Sequence, residues 1–322
     1  MTEFLGWQNG QFRPVTELTV SLSDAGCVSG AIVTDFCRTY RHRLFRWPEH
    51  LQRLRHDCDR CRVPLLQSDA EITAVAEEVA AACARQLANT EEFALITVAT
   101  PGPLAYLSGA ASDGPPTLAI QPIRLNPDRY RRFFLEGVTL AVAGLWPRHP
   151  AEIVPRTVKH RSRLHWWVAE QSLRSPEHPL FGTGAVPVLL DQEDACPDTP
   201  IGSVLAVASG QVIVPIPGTV LESISTRVVI EISRAQGFAV IEQTLNLESL
   251  VSGKIPGVGE ISELLLTGSG FGIAGVRRLL HADRECRFRW PGPVFLQLFD
   301  AWSNEVGVRL DEWAATHPKS TG

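Results

Sequence analysis

The chain of 322 residues carries 30 Lys or Arg against 35 Asp or Glu, a formal net charge of −5, with 44% hydrophobic and 20% charged residues. This composition excludes a disordered chain, and its mild acidity offers no basic footprint for nucleic acid. No uninterrupted apolar run of about 18 residues occurs, and the first residues lack a basic start before an apolar core, so neither a membrane span nor a secretory leader is expected. Length predicts about two domains at ~150 residues each. Seven cysteines without regular spacing point to reduced thiols in a cytoplasmic protein. Cys58 and Cys61 form a CxxC with no second pair at zinc-site spacing, and read as two thiols of a helix face.

In chain order, residues 4–22 read as short strands around the Asn9-Gly10 turn, and Phe36 to Phe45 as a second hairpin with Arg41-His42-Arg43 at its tip. Pro48 marks a helix start, followed by Leu51, Leu54 and Cys58 on one face. Ala70 to Leu87 is a helix by composition and recurrence; 93–99 and 117–122 are strand-like. The stretch 121–135, with Pro127-Asp-Arg-Tyr, reads as a connection, giving an N-terminal domain over 1–124 and a larger C-terminal domain over 125–322. Beyond it the pattern predicts a strand over 138–145, a helix over 160–172, strands over 186–190 and 204–215, and a helix over 224–236 stopped by Gly237. Strands over 261–266 and 275–279 and a helix over 295–306 complete the reading.

Only three of the 30 basic residues are lysines: Lys159, Lys254 and Lys319. An amine nucleophile must be one of these, because arginine stays protonated. Lys319 lies in a polar tail and Lys254 in the Gly-rich stretch Gly253–Gly257, where both read as solvated. Lys159 follows the run Ile153–Val158 and opens the expected helix beside Arg156, His160, Arg161 and Arg163. Neighbouring cations favour the neutral, reactive amine; the alternative is a solvated basic face. Ser223-Ile-Ser225 at a helix start and Gly268-Ser-Gly270 after a strand could each face an anion, although a serine pair is also an ordinary helix cap.

Taken in order, these features resemble the class IV aminotransferases, the fold type IV pyridoxal phosphate enzymes that include branched-chain aminotransferases, D-amino acid aminotransferases and aminodeoxychorismate lyases. The likeness runs over nearly the whole chain. Gly30 to Arg38 matches a glycine, aromatic and arginine strand. His50-Leu-Gln-Arg53-Leu is similar to the family's "HLxRL" helix, whose arginine grips the cofactor phosphate. Ser223–Ser225 resembles the "GIT" phosphate turn, and Glu263–Ser269 the late "E-x-x-x-x-G-T" strand and turn.

The resemblance implies an α+β or α/β fold of two domains with pyridoxal 5'-phosphate between them, usually in a homodimer. Lys159 would be the catalytic and cofactor-bearing lysine. Arg53, Ile224, Ser225 and Ser269 would hold the phosphate, and Asp198 would pair with the pyridine nitrogen. Arg38 would contact a substrate carboxylate, or else be a strand-surface arginine. Lys159-His-Arg-Ser-Arg-Leu164 is similar to the lyase subgroup's "KHLNRL", where branched-chain transaminases carry a tyrosine at the position of Leu164. That tilts the expected activity toward 4-aminobenzoate and pyruvate formation from aminodeoxychorismate. Branched-chain or D-amino acid transamination is the alternative, and a non-catalytic relative a third. The expected partner is a small amino acid or amino-chorismate, with no nucleic acid, membrane or metal. Asp198 is one methylene shorter than the family's glutamate. Ser203 replaces an asparagine, Ser223 a glycine, and Ala99 an arginine of many aminotransferases. Ser252–Gly259 is extra sequence.

Overall fold

The computed structural model describes residues 3–142, 156–191, 193–195, 197–282 and 284–315. Lys319, the far end of the strand expected to reach Leu145, and Ile153–Pro155 lie outside the described residues. The chain divides into two compact units: residues 1–125 with 158–162, and residues 126–157 with 163–322. The segment bearing Lys159 therefore packs with the first unit, although it follows residue 125 in the chain.

The first unit contains β1 (Leu5–Gln8), β2 (Gln11–Pro14), α1 (Ala25–Ser29), β3 (Val33–Tyr40), β4 (Arg43–Leu44), α2 (Trp47–Arg60), α3 (Asp69–Ala84), β5 (Phe93–Thr100), α4 (Ala105–Ser108) and β6 (Thr117–Arg124). Its antiparallel sheet runs β2-β1-β6-β5-β3-β4. Asn9 and Gly10 turn the first hairpin with φ of 46° and 89°, as a two-residue turn matching strand twist requires. Ser68 and Glu71 form a reciprocal capping box that starts α3. Leu51, Leu54 and Cys58 of α2 and Ile72, Ala76 and Val79 of α3 pack on Val33, Cys37, Phe93, Leu95 and Ile120 of the sheet. Truncating one of these large buried side chains costs about 2–5 kcal/mol.

The second unit contains α5 (Asp128–Leu135), β7 (Val138–Val142), α6 (Leu164–Arg174), β8 (Val186–Val188), β9 (Ser203–Ala208), β10 (Gln211–Val214), α7 (Ile224–Ala235), β11 (Val240–Glu242), α8 (Leu247–Ser252), β12 (Lys254–Ile255), β13 (Gly259–Gly268), β14 (Gly272–His281), β15 (Arg284–Arg287), α9 (Pro293–Val306) and α10 (Leu310–Ala315). Its sheet runs β11-β10-β9-β13-β14-β7-β8, with β12 paired on β13 and β15 on β14. Every residue of β9 is buried, the signature of a strand covered on both faces. Glu263 of β13 is buried, yet it is satisfied: its two carboxylate oxygens accept the Val294 and Phe295 amides and so cap α9. A Cβ at Gly292 would meet this carboxyl at 2.0 Å, which explains the glycine before Pro293.

Two sequence expectations change. The connection 121–135 holds the end of β6 and the helix α5. The helix expected over 160–172 begins only at Leu164, because residues 159–162 are extended against the free edge of β3. There the Thr34 amide donates to Lys159 carbonyl at 2.9 Å, the Arg161 amide donates to Ile32 carbonyl at 2.9 Å, and Val33 bridges His160. A strand edge satisfies these backbone groups, which helical periodicity in the sequence does not reveal.

Candidate active site

In the first unit the site grows from α2. His50, Arg53 and Asp57 recur at helical spacing on one face, and Asp35 meets them from β3. Asp35 shares the inward face of β3 with Val33 and Cys37, so a carboxylate occupies a position that the alternation reserves for the core. It is satisfied there. Arg53 donates from Nε and Nη2 to Asp35 Oδ2 at 2.9 and 2.7 Å, and His50 Nδ1 lies 2.5 Å from Oδ1. Burial pushes the Asp35 carboxyl upward, but the Arg53 charge and the hydrogen bond from His50 outweigh it and hold it far below the usual carboxylate range. Burial lowers the His50 pKa, with Asp35 opposing, so the ring is neutral near pH 7 and donates from Nδ1.

Lys159 is half-buried beside this cluster, and its charge acts on both Asp35 and His50. Its backbone is fixed from two sides. The carbonyl accepts from Thr34, and the amide donates to Asp57 Oδ2 at 2.8 Å. Asp57 is buried, and its other oxygen, Oδ1, has no partner. Burial raises its pKa, offset in part by the Lys159 amide. Thus the surroundings of Lys159 are the ionised Asp35–Arg53 pair and the carboxyl of Asp57. Arg163 is not one helical turn away: it lies outside the extended segment and donates to the Pro200 carbonyl at 2.7 Å.

The other lysines differ. Lys254 is exposed and 3.6 Å from Glu260. Its segment, the extra sequence over 252–259, ends α8, forms β12 and lines a cavity of about 430 Å³ with Asn246 and Ser249.

Arg38 is placed otherwise than the surface reading held. It is buried, with its guanidinium carbon 4.0 Å from the Tyr40 ring centroid and its Nε donating to the Thr39 carbonyl. That cation–π stack belongs to the packing of β3.

In the second unit Ser223 caps α7 by accepting the Thr226 amide at 3.3 Å, so the amides of Ile224 and Ser225 begin the first turn. Such amides have no acceptor within the helix, and the helix dipole adds partial positive charge at that end. Both residues are buried. Thr226 Oγ1 and Arg227 Nε are shielded from water and have no partner. Sequence reading passed over both; their place in the helix's first turn was the available signal. Unused amides, a hydroxyl and a guanidinium at one helix N-terminus form a donor set that fits a phosphate group.

Ser269 sits in the turn between β13 and β14. That turn is crowded: a Cβ at Gly268 would lie 2.2 Å from Ile201 carbonyl oxygen, and one at Gly202 2.3 Å from that of Thr267. The stretch 198–203 is thereby pressed on the turn. Within it Asp198 exchanges backbone hydrogen bonds with Leu189, bridges Ser203, and accepts the Thr199 amide at Oδ1. The structure therefore gathers Arg53 and Lys159 in one unit, and Asp198, Ile224, Ser225 and Ser269 in the other. Asp35, His50 and Asp57 join the first set. The sequence signal for them was a charged residue at an inward strand position and polar residues three and seven places along α2.

The profile of the family described as amino-transferase class IV matches residues 33–279. Among solved structures, a branched-chain aminotransferase from Thermoproteus uzoniensis with norvaline is similar at a TM-score of 0.75 and 17% identity, with 98% of each chain covered. The Escherichia coli branched-chain amino acid aminotransferase gives 0.72 and 18%, over 100% of this chain and 98% of that one. An aminotransferase from Brucella abortus bound to the cofactor PLP gives 0.71 and 19%, over 95% and 100%. No curated protein sequence matches. The described residues contain no helix long and apolar enough to cross a membrane, and no cluster of His, Cys, Asp or Glu fit for a metal.

Proposed function

The chain belongs to the class IV aminotransferase family, whose enzymes use pyridoxal phosphate, and from that premise we propose that it transfers an amino group between an amino acid and a 2-oxo acid. The observation that carries this reading is Lys159, half-buried and gripped through its backbone by β3 and Asp57. When bound, the cofactor supplies a carbonyl that condenses with amines and a ring that withdraws electrons from the substrate.

The chain's residues do the rest. Lys159 provides the amine, and then a base for the proton at the substrate Cα. Arg53, the Ile224 and Ser225 amides, and the hydroxyls of Thr226 and Ser269 bind the phosphate. Asp198 holds a proton at the ring nitrogen. Asp35 orients Arg53 and offsets the positive charge around Lys159. The substrate class best supported is an amino acid with an aliphatic side chain, because the similar structures include branched-chain aminotransferases, one of them with norvaline. A homodimer in the cytoplasm accompanies this reading.

A second reading, aminodeoxychorismate lyase, is favoured by Leu164, which begins α6 in place of the transaminases' tyrosine. Purified protein should carry the visible absorbance of bound cofactor, and Lys159→Ala should abolish both the band and turnover. Offered amino acid and 2-oxo acid pairs, the enzyme should exchange amino groups. Pyruvate release from aminodeoxychorismate without any exchange would replace transamination by the lyase reading, and a colourless wild type would overturn both.

A further inference from the structure

The second unit contains a pocket lined by four arginines, Arg132, Arg277, Arg278 and Arg287, together with Thr139, Thr183 and Glu136. Its volume is about 130 Å³, room for one small oxyanion and a few waters but not for a nucleotide. None of these residues was assigned a role above.

Strand geometry shows why the arginines gather. Successive residues of a regular strand point to opposite faces, so Arg277 and Arg278 should not line one cavity. The register between β14 and β7 shifts between Val276 and Arg278, which makes Arg277 a bulge residue and turns it to the side of Arg278. Across the next ladder Arg278 stands directly opposite Arg287, a like-charge pair that disfavours the sheet. Two glycines in the left-handed region complete the wall. A Cβ at Gly184 would lie 2.5 Å from Arg132 Nη1, and one at Gly137 2.8 Å from Arg277 Cβ, so guanidinium and stem lie against bare backbone.

The local charges do not balance. Arg132 is paired with Glu136 at 3.1 Å. Arg287 takes Glu285 at 2.8 Å, and Arg278, 3.9 Å from the same carboxylate, donates its Nε to Thr139 Oγ1. The Arg277 guanidinium has no ion-pair partner among the described residues. Among the described residues four cations thus face two carboxylates, on a chain whose net charge is −5. A bulge and a like-charge pair concentrate positive charge around an anion-sized cavity, and an anion in it would compensate them. Guanidinium forks and a hydroxyl are the donors suited to tetrahedral oxygens.

We propose that this pocket binds a small phosphate dianion, either inorganic phosphate or the phosphate of a small ester, at a site built wholly within the second unit. The test is calorimetric titration of the cofactor-loaded full chain, so that the cofactor's own phosphate site is filled. Inorganic phosphate and glycerol 3-phosphate are titrated in separate arms, each against chloride at matched ionic strength. Saturable binding of one phosphate per chain is expected. Arg277→Gln should weaken it at least tenfold while leaving the cofactor absorbance and melting temperature unchanged, and Arg277→Lys should recover part of the affinity. Tighter binding in the ester arm would identify an ester as the ligand, and equal affinity would identify free phosphate. Absence of saturable binding, or full affinity in Arg277→Gln, would overturn the proposal. A chain without cofactor absorbance would refute the functional reading above, yet the Arg277→Gln comparison would still decide the pocket.

Discussion

Asp35 in the first unit and Thr226 in the second meet the burial of polar groups in opposite ways. Beside Lys159, both carboxylate oxygens of Asp35 are partnered by Arg53 and His50, although Oδ1 of neighbouring Asp57 is not. At the start of α7, Thr226 Oγ1 and Arg227 Nε are shielded from water with no partner among the described residues, donors that the proposed phosphate would satisfy. The contrast separates two uses of buried polarity. A saturated cluster fixes a reactive group, whereas an unsaturated one stores affinity, because each orphaned donor costs about 1–3 kcal/mol until it is partnered. Substitutions in the first cluster should therefore act on stability, and those at α7 chiefly on ligand binding.

The largest effect falls on Asp35. Asp35→Asn leaves the buried Arg53 guanidinium beside a neutral amide, a loss of about 3–5 kcal/mol for a broken buried pair. The pH dependence has a definite sign. Because the folded pKa of Asp35 is depressed, its stabilisation is complete above the unfolded value of about 3.9 and is lost only as pH falls through the folded one. Urea midpoints of wild type and variant should therefore differ by a constant amount from pH 5 to 8 and converge only in stronger acid. A gap that widens as pH falls from 7 to 5 would assign part of the stabilisation to protonated His50, whose pKa Asp35 raises.

Asp57 should behave in the reverse sense within the same cluster. Its folded pKa is raised by burial, so the ionised form costs stability above that pKa, and the cost disappears below about 3.9. Asp57→Asn retains an oxygen to accept the Lys159 amide and removes the charge. The variant should equal wild type near pH 4 and gain on it with rising pH, by about 1.4 kcal/mol for each unit that the wild-type pKa is raised. A difference independent of pH would mean that the Asp57 charge is fully compensated.

Much of this was legible in the residues, for reasons that also mark where legibility ends. Asn9-Gly10, Pro48 and Gly237 punctuate the chain through local backbone chemistry, so the hairpin and both helices follow from them. Lys159 could be isolated by elimination, since arginine cannot replace an amine. Its setting could not. The pairing of residues 159–162 with β3 joins segments more than a hundred residues apart, and helical periodicity in 160–172 conceals it. Asp35 was visible only as a charge at an inward position, without a hint that Arg53 would answer it. Arg38 reads as a substrate-carboxylate contact or a surface residue, and the Tyr40 ring beneath it, with its burial, is visible only in the fold. The bulge at Arg277 has no sequence mark at all, because it is a mismatch of register with β7.

Thr226 offers the finest test of the contrast, because the expected effect is small and changes sign with ligand. Its Oγ1 is shielded with no partner among the described residues, so in protein prepared without cofactor Thr226→Val replaces an unsatisfied hydroxyl by a methyl of similar size. That change should leave stability equal or raise it by up to about 1 kcal/mol. With the phosphate bound, wild type gains a hydrogen bond that valine cannot make, and the same substitution should lower cofactor affinity several-fold. Melting curves of the apo and cofactor-saturated proteins read both halves together, since a ligand adds stability in proportion to the logarithm of its excess over Kd. Curves for wild type and variant that cross between the two states would show that the orphaned donors of α7 face the ligand. A variant destabilised equally in both states would instead place Thr226 in the packing of the helix, and the contrast between partnered Asp35 and orphaned Thr226 would carry no consequence for ligand binding.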